Sequence, residues 1–155
     1  MKKLLTFIGC IVLTLAVGGL SGIATVGGVK GWYTTLLKPA FNPPNYLFGP
    51  VWTLLYLLMG VSLYIILQEQ ATPAKKRALV IFGVQLSLNA FWSIIFFNFH
   101  EVGWALIEII SIWMSVLLMI ITFYKINKTA GLLQLPYLAW VSFATILNAA
   151  IFYLN

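Results

Sequence analysis

The stretch WALIEIISIWMSVLLMIITFY, residues 104–124, carries a single charged side chain, Glu108, in an otherwise apolar run. A bilayer core takes about 20 such residues as a helix. Helix is the expected form, because in lipid each span must satisfy its own backbone hydrogen bonds. The run also lacks the period-two alternation of a membrane β-barrel strand. Working outward from it, four further runs qualify: 78–97 and 47–67, then 4–26 and 132–153. The predicted fold class is therefore all-α, an integral membrane bundle of five transmembrane helices forming one domain over 1–155.

Composition leads to the same place. Of 155 residues, 62% are hydrophobic and 8% charged, more apolar surface than a soluble domain of this size can hide. The net charge of +6 does not predict nucleic acid, since the cations form no stripe but sit at the ends of apolar runs. Cys10 stands alone, so one chain can build neither a disulfide nor a thiolate metal site.

The breaks between spans are explicit. Gly27, Gly28, Gly31, Pro39, Pro43 and Pro44 mark a long first loop, and Pro50 suits the first turn of span two. Residues 68–77 form a polar link, 98–103 a tight one holding His100 and Glu101, and 125–131 the last. Pro136 is a first-turn residue of span five or a mild kink. Lys2 and Lys3 precede span one as in a signal peptide. The apolar run is nonetheless long and ends in no A-x-A site, so a retained helix is expected. Lys2, Lys3, Lys75, Lys76, Arg77, Lys125 and Lys128 fall on one side of a five-span chain, Lys30 and Lys38 on the other. The positive-inside rule then predicts a cytoplasmic N-terminus, with loop one and the C-terminus outside.

Spacing assigns faces. Gln85, Asn89, Trp92 and Phe96 share one face of span three; Gly83, Ser87 and Ala90 share another, about 200° away. Polar groups avoid lipid, which turns the first face inward. The small face suits close approach of a second helix, from a homodimer partner or from this chain. Trp140, Ala144, Leu147 and Asn148 share a face of span five, Trp52 and Tyr56 lie one turn apart in span two, and Gly18 and Gly22 make a GxxxG pair. Glu108, Ser111 and Ser115 form a polar stripe in span four. These faces can converge on an interior space suited to a flat, apolar ligand. The competing reading makes Trp32, Tyr33, Trp104 and Tyr124 interfacial anchors. Glu108 is a candidate proton carrier or a partner in a structural hydrogen bond. His100 reads as a polar loop residue, without ligand partners at metal spacing. The chain has no Asp, and no nucleophile motif, phosphate loop or metal cluster, which argues against conventional hydrolytic chemistry.

Several of these residues carry a resemblance. Trp32-Tyr33 with Leu37-Lys38-Pro39-Ala40-Phe41-Asn42-Pro43-Pro44 resembles the first-loop signature of the translocator proteins, also called tryptophan-rich sensory proteins or peripheral benzodiazepine receptors. Phe48-Gly49-Pro50-Val51-Trp52-Thr53-Leu54-Leu55-Tyr56 continues it. So do Gln85-Leu86-Ser87-Leu88-Asn89 with Trp92, Gly103-Trp104-Ala105-Leu106-Ile107-Glu108, Pro136-Tyr137-Leu138-Ala139-Trp140 and Ala144-Thr145-Ile146-Leu147-Asn148. The resemblance implies a bundle, usually dimeric, whose first loop folds over a cavity. It implies binding of porphyrins and of isoquinoline carboxamide or benzodiazepine drugs, with no cofactor required and porphyrin as ligand or substrate. The implied ligand-binding residues are Gly22, Trp32, Trp52, Asn89, Trp92, Trp104, Trp140, Ala144 and Leu147. Trp52 and Trp140 would be catalytic only if light-driven porphyrin degradation operates. The short termini imply a bacterial cell-membrane protein. One departure is that no cation follows Tyr153, where animal members place a cholesterol motif; the pattern is weak, and specific sterol binding is not predicted. Transport of small amphipathic molecules is the remaining alternative, disfavoured by the lack of broken-helix pairs and an inverted repeat.

Overall fold

A computed structural model of the protein describes the whole chain, Met1–Asn155, with all side chains but that of Ala24. Each predicted run is helical, the fifth with a break near its start, and most extend past the apolar stretch into their polar flanks. The helices are α1 (Lys2–Lys30), a single turn α2 (Trp32–Thr35), α3 (Phe48–Gln68), α4 (Pro73–Ser93), α5 (Val102–Ile126), the short α6 (Lys128–Leu132) and α7 (Leu135–Leu154). Five helical segments are long and apolar enough to cross a membrane.

The ends are fixed by local chemistry. Thr72 caps α4 by accepting from Lys75 N at 3.1 Å, with Pro73 in the first turn. The Lys75 ammonium turns back to donate to Leu67 O and Glu69 O, both at 2.8 Å. There it satisfies orphan carbonyls at the α3 terminus and meets the negative end of the helix dipole. Asn127 caps α6 through Ala130 N and donates to Glu69 Oε1 at 2.8 Å, joining the two polar loops at this end of the bundle.

Two departures from regular helix occur, of which Pro136 signals only the second. Span three continues from α4 into five residues of wider π-helical winding, Ile94–Asn98, so two consecutive aromatics, Phe96 and Phe97, are both buried. Such turns often occur at functional sites. Gly28 of α1 faces them, and a Cβ there would lie 2.7 Å from Phe97 Cβ. Span five is interrupted between α6 and α7. Pro136 occupies the first turn of α7, and at the break the Gln134 amide donates to Leu58 O of α3 at 3.1 Å.

In the bundle, α1 packs along α3, α4 along α5, and α5 along α7. The small face of α4 points away from the core: Gly83 and Ser87 are exposed and Ala90 half-buried. Loop one is fastened at several points. The Tyr33 hydroxyl donates to Asn42 Oδ1 at 2.7 Å, and the Lys38 ammonium lies 4.8 Å from the Tyr33 ring centre. The Asn155 amide makes a reciprocal pair with the Leu37 backbone, accepting from N at 2.9 Å and donating to O at 3.0 Å. Burial of Tyr33 pushes its phenol up to about 12.

Candidate functional site

Between α1, α3, α4 and α7 the bundle encloses a cavity of about 480 Å³. Its α1 wall is built from small residues. Gly18 exists for a neighbour, since a Cβ there would run into the Tyr56 ring. Gly22 exists for space: nothing lies within 4 Å of where its Cβ would be. The GxxxG pair therefore splits into one packing position and one open position. Opposite it, Phe48, Trp52 and Tyr56 come from α3, and Trp140, Ala144 and Leu147 from α7. Asn89 and Trp92 enter from α4, Phe96 and Phe97 from the π turn, and Ile109 and Ile112 from α5. Lys30 and Tyr33 stand at the loop-one end.

The aromatic rings of the wall meet in three groups. Trp52 lies 5.7 Å from Tyr56 and 6.2 Å from Tyr137, centre to centre. Trp140 meets Phe48 edge-on at 6.1 Å. Trp92 stacks on Phe96 at 5.1 Å.

Behind the wall runs a chain of buried hydrogen bonds. The Tyr56 hydroxyl donates to Asn89 Oδ1, Asn89 Nδ2 donates to the Tyr137 hydroxyl at 2.9 Å, and Tyr137 donates to Gln85 Oε1 at 3.0 Å. This chain answers most of the cost of placing two amides in the interior, where an unpaired buried polar group costs about 1–3 kcal/mol; only Gln85 Nε2, behind the wall, is left without a partner among the described residues. Trp92 Nε1 is also satisfied, by Ala105 O at 3.1 Å and Asn148 Oδ1 at 3.3 Å. Trp140 Nε1 is not: it is buried and has no acceptor among the described residues. The cavity is thus an apolar, aromatic slot offering one free N–H donor in its wall and an ammonium at its rim.

Of the residues expected to bind ligand, Gly22, Trp52, Asn89, Trp92, Trp140, Ala144 and Leu147 line this cavity. Trp32 does not. It stacks on the His100 imidazole at 4.4 Å and 21°, on the outer side of Phe96. His100 adopts φ 60°, a left-handed conformation that a histidine in a tight turn tolerates better than a bulky residue. Trp104 is also outside: it is 65% exposed, on the outer face of α5. The polar stripe of span four divides. Ser115 is buried, with its hydroxyl on Ile112 O, whereas Glu108 and Ser111 open onto the outer surface. The spacing predicts one stripe facing the interior; helix rotation sends its upper half to the outer surface instead. Sequence reasoning left Tyr137 out of the inner face, although its placement one turn from Trp140 was a usable signal.

Residues 10–154 match the model of the TspO/MBR family. The chain belongs to that family. A tryptophan-rich protein TspO of Chlorobaculum tepidum is 42% identical over 99% of this chain and 98% of its own. One from Archaeoglobus fulgidus is 43% identical over 99% of each. The human translocator protein is 36% identical over 76% of this chain and 70% of its own. Family membership and the five apolar helices together make the chain an integral membrane protein.

Proposed function

We propose that this family member is a sensor-type membrane receptor whose cavity takes a flat, largely apolar ring system. Porphyrins are the first candidate class, with isoquinoline carboxamide and benzodiazepine compounds as occupants of the same space. The observation that carries the reading is Trp140 Nε1, a donor buried in the wall of an aromatic cavity with nothing to donate to. A cavity of about 480 Å³ falls in the ~300–1,000 Å³ range of small-molecule sites. A ring system with a peripheral acceptor would fill the slot and satisfy that donor. Lys30 at the rim suits a carboxylate substituent. A relative from Cereibacter sphaeroides, 34% identical, bears the name tryptophan-rich sensory protein.

The test is a titration of purified protein with protoporphyrin in the dark, followed by tryptophan fluorescence. Saturation near one ligand per chain, weakened about fivefold in Trp140→Phe by loss of one hydrogen bond, supports the reading. Linear quenching without saturation, the same in both proteins, removes it.

A second reading is light-driven oxidation of the bound porphyrin by molecular oxygen. It draws on Trp52, whose ring sits within 6.2 Å of two tyrosine rings, a setting in which an oxidised indole has donors beside it. Under illumination, product should form faster than with free porphyrin, and the Trp52→Phe, Trp140→Phe double variant should abolish the gain. The remaining assignments belong to the same proposal: a homodimer through the Gly83, Ser87 and Ala90 face, and a cytoplasmic N-terminus. A C-terminal reporter active only outside the cytoplasm tests the orientation.

A further inference from the structure

The outer face of α5 carries a second feature that the cavity does not use. Glu101, Trp104, Glu108 and Ser111 are spaced three, four and three apart and line one side of a groove of about 410 Å³. Leu88, Ile95 and Phe99, from α4 and the residues that follow it, make the other side. Trp104 and Phe99 are 65% and 66% exposed.

Two of the chain's three acidic residues are in this groove, and no lysine or arginine lines it. Glu108 lies about 10 Å along the helix from Glu101, where an unpaired carboxylate facing lipid is costly. Among the described residues nothing offsets that cost. The nearest hydroxyl on its face, Ser111, donates backward to Ile107 O at 3.0 Å. No donor among the described residues reaches the carboxylate. The two exposed aromatics at the helix-entry end fit the membrane interface, and an aromatic face also attracts an ammonium group. From Glu101 to Ser111 the groove runs about 15 Å, half of a ~30 Å hydrocarbon core. It therefore spans the depth of one leaflet. A partner helix would use a seam longer than this, whereas a single-leaflet amphiphile would not.

We propose that this groove is a lipid site that takes a phospholipid with a primary-amine head, one acyl chain lying along Leu88, Ile95 and Ile107. The ammonium donates to the Glu108 carboxylate beside Trp104, and Glu101 nearer the helix entry adds a second negative charge that attracts it. Charge selects the head: an anionic head is repelled by both carboxylates, and a quaternary-ammonium head has no N–H to donate to them.

The test is native mass spectrometry of the full chain released from detergent with equimolar phosphatidylethanolamine and phosphatidylglycerol of matched chains. Wild type should retain the ethanolamine lipid over the glycerol lipid by about fivefold, as expected of a partly exposed charged pair. In Glu108→Gln the ratio should fall to within about twofold of unity. Glu101→Gln, in the exposed helix-entry turn, should fall in the same direction and serves if Glu108→Gln does not fold. Glu69→Gln removes an equal charge at the far end of the bundle and should keep the wild-type ratio. The proposal is overturned by an absent preference in wild type, by a ratio unchanged in both groove variants, or by an equal fall in Glu69→Gln. It is likewise overturned if Glu108→Gln alters the oligomeric state and leaves the lipid ratio intact, because a second copy would then cover the groove.

Discussion

The two ends of the bundle are built on opposite principles. Around Met59, Ile66, Ala78, Val116, Met119, Phe123 and Ala130 the interior is solid, with each of these side chains fully buried and Phe82 stacked on Phe123 at 6.0 Å. Around Gly22, Trp52, Trp140 and Leu147 the same helices enclose empty space. In lipid no hydrophobic effect drives helix against helix, so association rests on close packing and interhelical hydrogen bonds. The solid end supplies the packing. The hollow end has less of it, in a smaller cluster around Phe96, Phe97, Ala105 and Ile151, and is held as well by the Tyr56–Asn89–Tyr137–Gln85 chain and by the fastenings of loop one. The difference assigns stability to one end and ligand capacity to the other.

The largest effect should come from hollowing the solid end. Met59→Ala removes a side chain with partners on every side, a change that costs about 2–5 kcal/mol in packed cores. Leu147→Ala trims a wall that already borders a void and has fewer contacts to lose, so its cost should be about 1 kcal/mol. Unfolding of the two variants in one detergent checks the contrast, and equal losses would break the division between the ends.

Filling the hollow end should have the opposite signature. Gly22 faces open space, so Gly22→Leu places a side chain in the cavity and replaces a poor helix former with a good one. Stability should hold or rise by about 0.5–1 kcal/mol. Affinity for a cavity ligand should fall at least about tenfold. A variant that is both unstable and unimpaired in binding would mean that Gly22 faces neither space nor ligand.

How far the sequence reaches differs along the chain for physical reasons. The five spans were legible because lipid demands a length and composition that little else in a sequence imitates. The inward face of α4 was legible because Gln85 and Asn89 are too polar to face lipid. Trp32 and Trp104 were not, because an interfacial anchor and a cavity wall call for the same residue type, and only helix rotation separates them. Glu108 misled for the same reason: periodicity says which residues share a face, not where the face points. The π turn at Ile94–Asn98 has no Gly or Pro to announce it, whereas the break before α7 is announced by Pro136; what the sequence hides there is the partner of Gln134, Leu58 O, which is distant in the chain.

The smallest effects should come from the ties of loop one, which decide whether the hollow end stays covered without bearing much of the fold. Asn155→Ala removes two hydrogen bonds to the Leu37 backbone at an exposed site, so its stability cost should be about 0.5–1 kcal/mol. Tyr33 adds a pH dependence. Its phenol is held up to about 12 by burial, so folding of the loop favours the neutral form. The stabilisation is complete below the ordinary tyrosine pKa of about 10 and is lost as pH rises from there through about 12. Hydrogen exchange at the loop-one amides should therefore show opening across that window in wild type. In Tyr33→Phe, which lacks the titrating group and the bond to Asn42, the loop should be looser at neutral pH and free of that alkaline step. An identical step in both proteins would place the titration elsewhere, and would leave the cover over the cavity resting on Asn155 and the packing of Tyr33 against Phe96 and Phe97.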